Sequence, residues 1–202
     1  MSWEKHYNRW IQCTRCELHE GRTKVVLGMG RIRHGDMPGA PFLVMGKHPA
    51  KEEDRIGLPM QGPAGAWVKW AITSVLGVPY DECFFGNVLG CKPPGNPRVK
   101  WIEACTPRVD ELLELVQPKL IISMGLVASK FFLQDKKIKM GDVAGTRAAY
   151  EGYPVAPVIH PFEPARQKTA SGKRESERKV VASFRSVRDW CIELGLIERL
   201  IE

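Results

Sequence analysis

Four short apolar runs constrain this chain more than any other feature. They are PFLVMG (41–46), CFFGNVLG (83–90), KLIISMG (119–125) and PVAPVIH (154–160). None alternates apolar with polar residues, as a strand with one wet face would. Helical patterns separate and follow them: 63–76, WIEACTPRVDELLELV (101–116), LVASKFFL (126–133) and 176–194. Strands buried on both faces and alternating with helices predict a three-layer α/β/α sandwich around a central, mainly parallel four-stranded sheet. At 202 residues the chain suits one domain spanning 1–202. Residues 2–12 are expected as a short helix and Val25-Val26-Leu27 as a short strand. Residues 134–153 are expected as a small excursion or hairpin, and Pro107 as a kink or break.

In such folds the chemistry gathers where strands end, at the carboxyl edge of the sheet. The first run leads into GKHPAKEEDRIGLPMQGPAG (46–65), a long polar stretch whose glycines and prolines set turns. It carries Lys47, His48, Glu52, Glu53 and Asp54, all capable of acid–base or electrostatic work. The second run ends at Asn87 and the fourth at His160. A net charge of +7 points toward a polyanionic partner. No run approaches the roughly 18–20 apolar residues that cross a bilayer, and the first residues, MSWEKHYNRWIQC, lack an apolar signal core. A cytoplasmic protein with no membrane partner is expected, with its thiols reduced. Cys13 and Cys16 form a C-x-x-C pair, and Cys91 and Cys105 lie in a loop-to-helix stretch. Four thiolates from two distant segments suit zinc or an iron–sulfur cluster, and spacing leaves both open. Cys83 and Cys191 read as packing residues.

Taken in order, these segments resemble the uracil-DNA glycosylase superfamily, in particular its thermophile-type iron–sulfur branch, often called family 4. The opening C-x-x-C-x-L of that branch is CTRCEL here. Its first motif, G-E-x-P-G-x-x-E-D-x-x-G-x-P-F-x-G-x-A-G, has the same length as GKHPAKEEDRIGLPMQGPAG. A strand ending N-V-x-x-C-x-P-P-x-N matches NVLGCKPPGN, L-I-I-x-x-G matches LIISMG, and the final H-P matches His160-Pro161. The likeness runs from about Trp10 to Trp190.

The resemblance implies a DNA glycosylase that flips uracil from single- or double-stranded DNA and hydrolyses its N-glycosidic bond. It implies a structural 4Fe–4S cluster on Cys13, Cys16, Cys91 and Cys105, in a protein expected to act as a monomer. Asn87 would offer a donor and an acceptor to a pyrimidine edge. His160 would donate to the base oxygen that gains charge, and Glu53 would position water or stabilise the cationic sugar. Gly46, Lys47, His48 and Met60 would surround the base. Phe162 would wedge into the vacated stack, and Arg166, Lys168, Lys173 and Arg174 would meet phosphates.

Three positions depart from the motif. Lys47 reverses the charge of the family's acid, Met60 replaces its stacking aromatic, and Ala50 replaces a glycine. They keep open a glycosylase of the same mechanism for a bulkier modified base. An inactive DNA-binding member is the third reading. Lys47 would serve as a Schiff-base nucleophile only if its pKa were depressed.

Overall fold

The computed structural model describes residues 1–198. Helix α1 (Trp3–Trp10) opens the chain, with Ser2 Oγ accepting the Lys5 N–H at 3.3 Å as its N-cap. A single turn, α2 (Leu18–Gly21), follows the C-x-x-C pair. Val25–Leu27 is buried but not a strand of the sheet. Its main chain instead runs beside the turn after the second strand, Val26 N–H donating to Gly90 O at 2.8 Å.

Strand β1 (Phe42–Gly46) is followed by α3 (Lys51–Ile56), then α4 (Pro63–Trp70), which continues as a π-helical stretch over Ala71–Leu76. Strand β2 (Cys83–Asn87), helix α5 (Val99–Val116), strand β3 (Leu120–Met124) and helix α6 (Gly125–Leu133) come next. A turn, α7 (Met140–Val143), precedes β4 (Ala148–Tyr150) and β5 (Tyr153–Val158), and α8 (Ala170–Glu193) closes the described chain.

The sheet has five strands in the order β2-β1-β3-β5-β4, one more than the sequence predicts. The extra strand, β4, pairs antiparallel with β5 at the edge. Their two-residue connection, Glu151-Gly152, has φ of 47° and 83°, the paired positive values of a type I′ hairpin. The other strands are parallel. Alternate β1 residues serve different layers. Phe42 and Val44 face the core under α4 and α8, while Leu43 and Met45 face the core under α5 and α6. That two-sided burial explains the unbroken apolar runs.

Pro107 neither breaks α5 nor divides it. The helix is held on either side of the proline by Cys105, Val109, Leu112 and Val116, all buried. The apolar area removed from water outweighs the one main-chain hydrogen bond that proline forgoes. A third, smaller core gathers Trp10, Leu18, Val25, Leu27, Leu89 and Trp101 with the four cysteines 13, 16, 91 and 105. Helix α1 is fastened over it by Glu111 of α5, which accepts from Trp10 Nε1 at 2.6 Å, pairs with His6 Nδ1 at 3.0 Å and binds Arg9. No described helix is long and apolar enough to cross a membrane.

Candidate active site

Strands β1 and β2 end side by side, Gly46 in register with Asn87. Asn87 is almost fully buried, and its Oδ1 lies over Gly46: a Cβ there would stand 2.6 Å from it. The turn beyond is pinned from below. Arg108 of α5 donates through Nη2 to the carbonyls of Asn87 and Val88, the latter at 3.0 Å. Gly46 O and Lys47 O accept the N–H groups of Val88 and Leu89 at 2.9 and 3.0 Å. The Asn87 main chain is therefore immobilised on both sides.

The stretch 46–65 is not an open loop. Its middle forms α3, ended by Gly57 at φ 90°, whose N–H returns to Glu53 O at 2.7 Å. Glu53, 6% exposed, is its clamp: one carboxylate oxygen accepts Ala50 N–H and the other Gly62 N–H, each at 2.9 Å. Asp54 accepts Thr23 N–H on both oxygens, at 3.0 and 3.1 Å. It ties the stretch to the segment after the cysteine pair. Met60 is held at φ 62°, a conformation costly for a side chain with a Cβ. Gly65 lets the backbone turn beneath it, since a Cβ there would meet Met60 O at 2.1 Å. His48 Nδ1 donates to Pro49 O at 2.9 Å, and burial lowers its pKa.

His160 lies two residues past β5. Its Nδ1 accepts the Phe162 N–H at 3.2 Å, so the proton of the neutral ring sits on Nε2. Burial, then the Arg166 and Lys47 charges, hold its pKa down at about 4. Lys47, half-buried, has a lowered pKa, through burial first and the Arg166 charge second. Arg166 Nη1 binds Glu163 Oε2 at 3.1 Å, and its guanidinium lies 5.6 Å from the centroid of the partly buried Phe162 ring. Lys168, Lys173 and Arg174 are exposed beyond it. Lys47, His160, Glu163 and Arg166 thus line one cavity, whereas Asn87 and Met60 stand outside its lining.

Cys13, Cys16, Cys91 and Cys105 converge in the small third core. Among the described residues, no three Cys, His, Asp or Glu side chains close on a point as ligands of one metal ion. The thiols are nonetheless near enough to act on one another's charge. Burial pushes the Cys91 thiol up to about 11, while the Arg22 charge pulls the other way. Arg22 Nη1 reaches Cys91 Sγ at 3.4 Å and Cys13 O at 2.7 Å. An all-sulfur donor set with a cation beside it fits an anionic sulfur-ligated cluster.

Two of these parts escape a reading of the sequence. Arg22 carries no signal in its neighbourhood. Arg108 does carry one: it sits on the apolar face of α5, three residues after Cys105 and one before Val109, where a charge needs a reason.

A family model described as the uracil DNA glycosylase superfamily matches residues 32–185. A type-4 uracil-DNA glycosylase of Sulfurisphaera tokodaii is 34% identical over 143 residues, 70% of this chain and 60% of that protein. Those of Pyrobaculum aerophilum and Thermotoga maritima are 32% and 31% identical, each match covering 76% of the relative and 75% and 74% of this chain.

Proposed function

The chain belongs to the uracil DNA glycosylase superfamily, and from that premise we propose that it excises uracil from DNA by hydrolysing the N-glycosidic bond. The observation that carries this reading is the protonation state of His160. Breaking the bond to the sugar leaves positive charge on the deoxyribose and negative charge on the base. A group that must hold a developing anion does so best by donating a hydrogen bond without losing its proton. The neutral His160 ring, with Nδ1 satisfied by Phe162, presents such a proton on Nε2. Its pKa of about 4 keeps it in that one state across neutral pH.

Asn87 reads the pairing edge of the flipped base with its carboxamide, one donor and one acceptor. Its fixed main chain and the bare Gly46 beneath it set the position. Met60 lays a thioether against the base, and Gly46 and His48 line its approach. Glu53 acts first by holding the loop closed, and its carboxylate faces the cationic sugar from there. Water supplies hydroxyl to the sugar and a proton to the departing base. Phe162 fills the vacated stack, with Arg166, Lys168, Lys173 and Arg174 on phosphates. The protein works as a monomer on single- or double-stranded DNA. Cys13, Cys16, Cys91 and Cys105 would hold a 4Fe–4S cluster, which when bound supplies a structural tie and takes no part in cleavage.

Met60 favours a second reading, excision of a bulkier base, because an adaptable thioether stands where an aromatic platform would be flat. One assay separates the readings. The protein is incubated with oligonucleotides carrying uracil, hydroxymethyluracil or hypoxanthine, and abasic sites are counted. Uracil release is expected. Release only from hydroxymethyluracil would install the second reading, and binding without any release would overturn both.

A further inference from the structure

A cavity of about 350 Å³ opens where β1 and β3 end. In the order β2-β1-β3-β5-β4 the chain turns one way after β1 and the other way to reach β3. Such switch points are where parallel sheets bind ligands. Lys47 contributes one wall, Gly125 and Leu126 another, and His160, Glu163 and Arg166 the third.

The charge of that cavity is unbalanced. Lys47 Nζ forms no ion pair with any described residue, while Arg166 shares its charge with Glu163. One net positive charge remains. Helix α6 begins at the second wall with no side-chain cap and no acid in its first turn. It brings unpaired N–H groups and the positive end of its dipole to the same place. Gly125 has φ +78°, and a Cβ there would meet His160 Cβ at 3.3 Å. The main chain therefore comes in close and bare beside the imidazole. Two cations and a helix start around one cavity call for an anion. The ground-state pyrimidine is neutral, and in a DNA substrate the permanent anion is the phosphate.

We propose that Lys47, Arg166 and the start of α6 grip one backbone phosphate beside the excised nucleotide, so that Lys47 reads the strand and not the base. This rests on DNA being the substrate of the site above. It accounts for the charge reversal at position 47: a cation outside the base-facing residues Asn87 and Met60 can add affinity without altering the pairing edge they meet. The grip is independent of sequence and screened by salt.

The test is binding to an oligonucleotide carrying a tetrahydrofuran abasic analogue, which has no base to lose, at several salt concentrations. For Lys47→Gln the slope of log affinity against log salt should become shallower by about 0.9 on duplex and about 0.7 on single strands. Arg166→Gln should also flatten the slope, and Lys47→Arg should keep that of the parent protein. An unaltered slope in Lys47→Gln would overturn the proposal. So would an altered preference between uracil and hydroxymethyluracil with the slope unchanged, which would return Lys47 to the base. A protein that excises nothing yet loses slope on Lys47→Gln would sink the glycosylase reading and leave the phosphate grip standing.

Discussion

Gly46 shows how much one missing methyl group can control. Its Cβ would stand 2.6 Å from Asn87 Oδ1, so Gly46→Ala must push the carboxamide off its position. A displacement of that size at a reacting group costs on the order of 10²-fold in rate. Turnover at saturating DNA should fall by about that factor while the thermal melt stays near the parent's. Glu53 invites a different test. Glu53→Gln puts an amide N–H₂ against one of two main-chain N–H donors, at Ala50 or Gly62. Losing one charge-assisted hydrogen bond costs about 1.5–3 kcal/mol, to be read as a lowered melting temperature with slower turnover. His160 sets a pH window. Its folded pKa, about 4, lies below the ordinary 6.5. Above 6.5 the ring is neutral folded or unfolded, and stability is unaffected. As pH falls from 6.5 toward about 4 the unfolded chain takes up a proton that the native site refuses, so stability is lost. Urea midpoints across that window should drop more steeply for the parent than for His160→Gln. The places of Asn87 at the end of β2 and His160 just past β5 were legible in the sequence. The His160 tautomer was not, because it depends on the Phe162 N–H folding back onto Nδ1.

Helix α1 has little apolar area of its own, with only His6 and Trp10 buried. Its place depends on Glu111, which takes hydrogen bonds from Trp10 and Arg9 and pairs with His6. Glu111→Ala would leave the His6 ring, already without a partner at Nε2, and the Trp10 N–H unsatisfied in the interior. Breaking such a buried network costs about 3–5 kcal/mol. Because α1 delivers Cys13 and Cys16 to the third core, the same variant should lose iron per protein chain as well as stability. Full iron content in a protein with a lowered melting point would show that the cysteines hold their places without α1. The sequence shows α1 as an amphipathic stretch but cannot show its partner, which lies about a hundred residues away on a helix with its own apolar face. Helix α5 carries the opposite lesson. Local chemistry at Pro107 predicts a kink or break, and burial on both sides keeps the helix unbroken.

Across the whole molecule, a rigid sheet positions a site made by three strand ends, and a sulfur-lined core ties the amino-terminal segment to β2 and α5. The purified protein should be brown, with broad absorbance at about 400 nm. Stripping iron should expose residues before Thr23 to proteolysis while far-ultraviolet circular dichroism of the sheet persists. A colourless protein holding one zinc would remove the cluster from the account. The α/β/α class, the parallel strands and the C-x-x-C pair followed from sequence alone, because burial on both faces and turn chemistry are local and write themselves into composition. The resemblance to a glycosylase branch rested equally on short motifs in order. The fifth strand was not separable from the excursion or hairpin expected over 134–153, since a three-residue edge strand carries too little apolar signal to stand out from a loop. The burial of Glu53 as a clamp, Arg108 beneath Asn87 and the meeting of Lys47 with Arg166 did not follow from sequence. Arg108 and Lys47 meet partners distant in the chain, and Glu53 closes onto Ala50 and Gly62 of its own stretch; in each case the partner is set by packing that the fold creates. What a charged side chain does here is decided by what tertiary packing places beside it, and sequence records only that the charge is present.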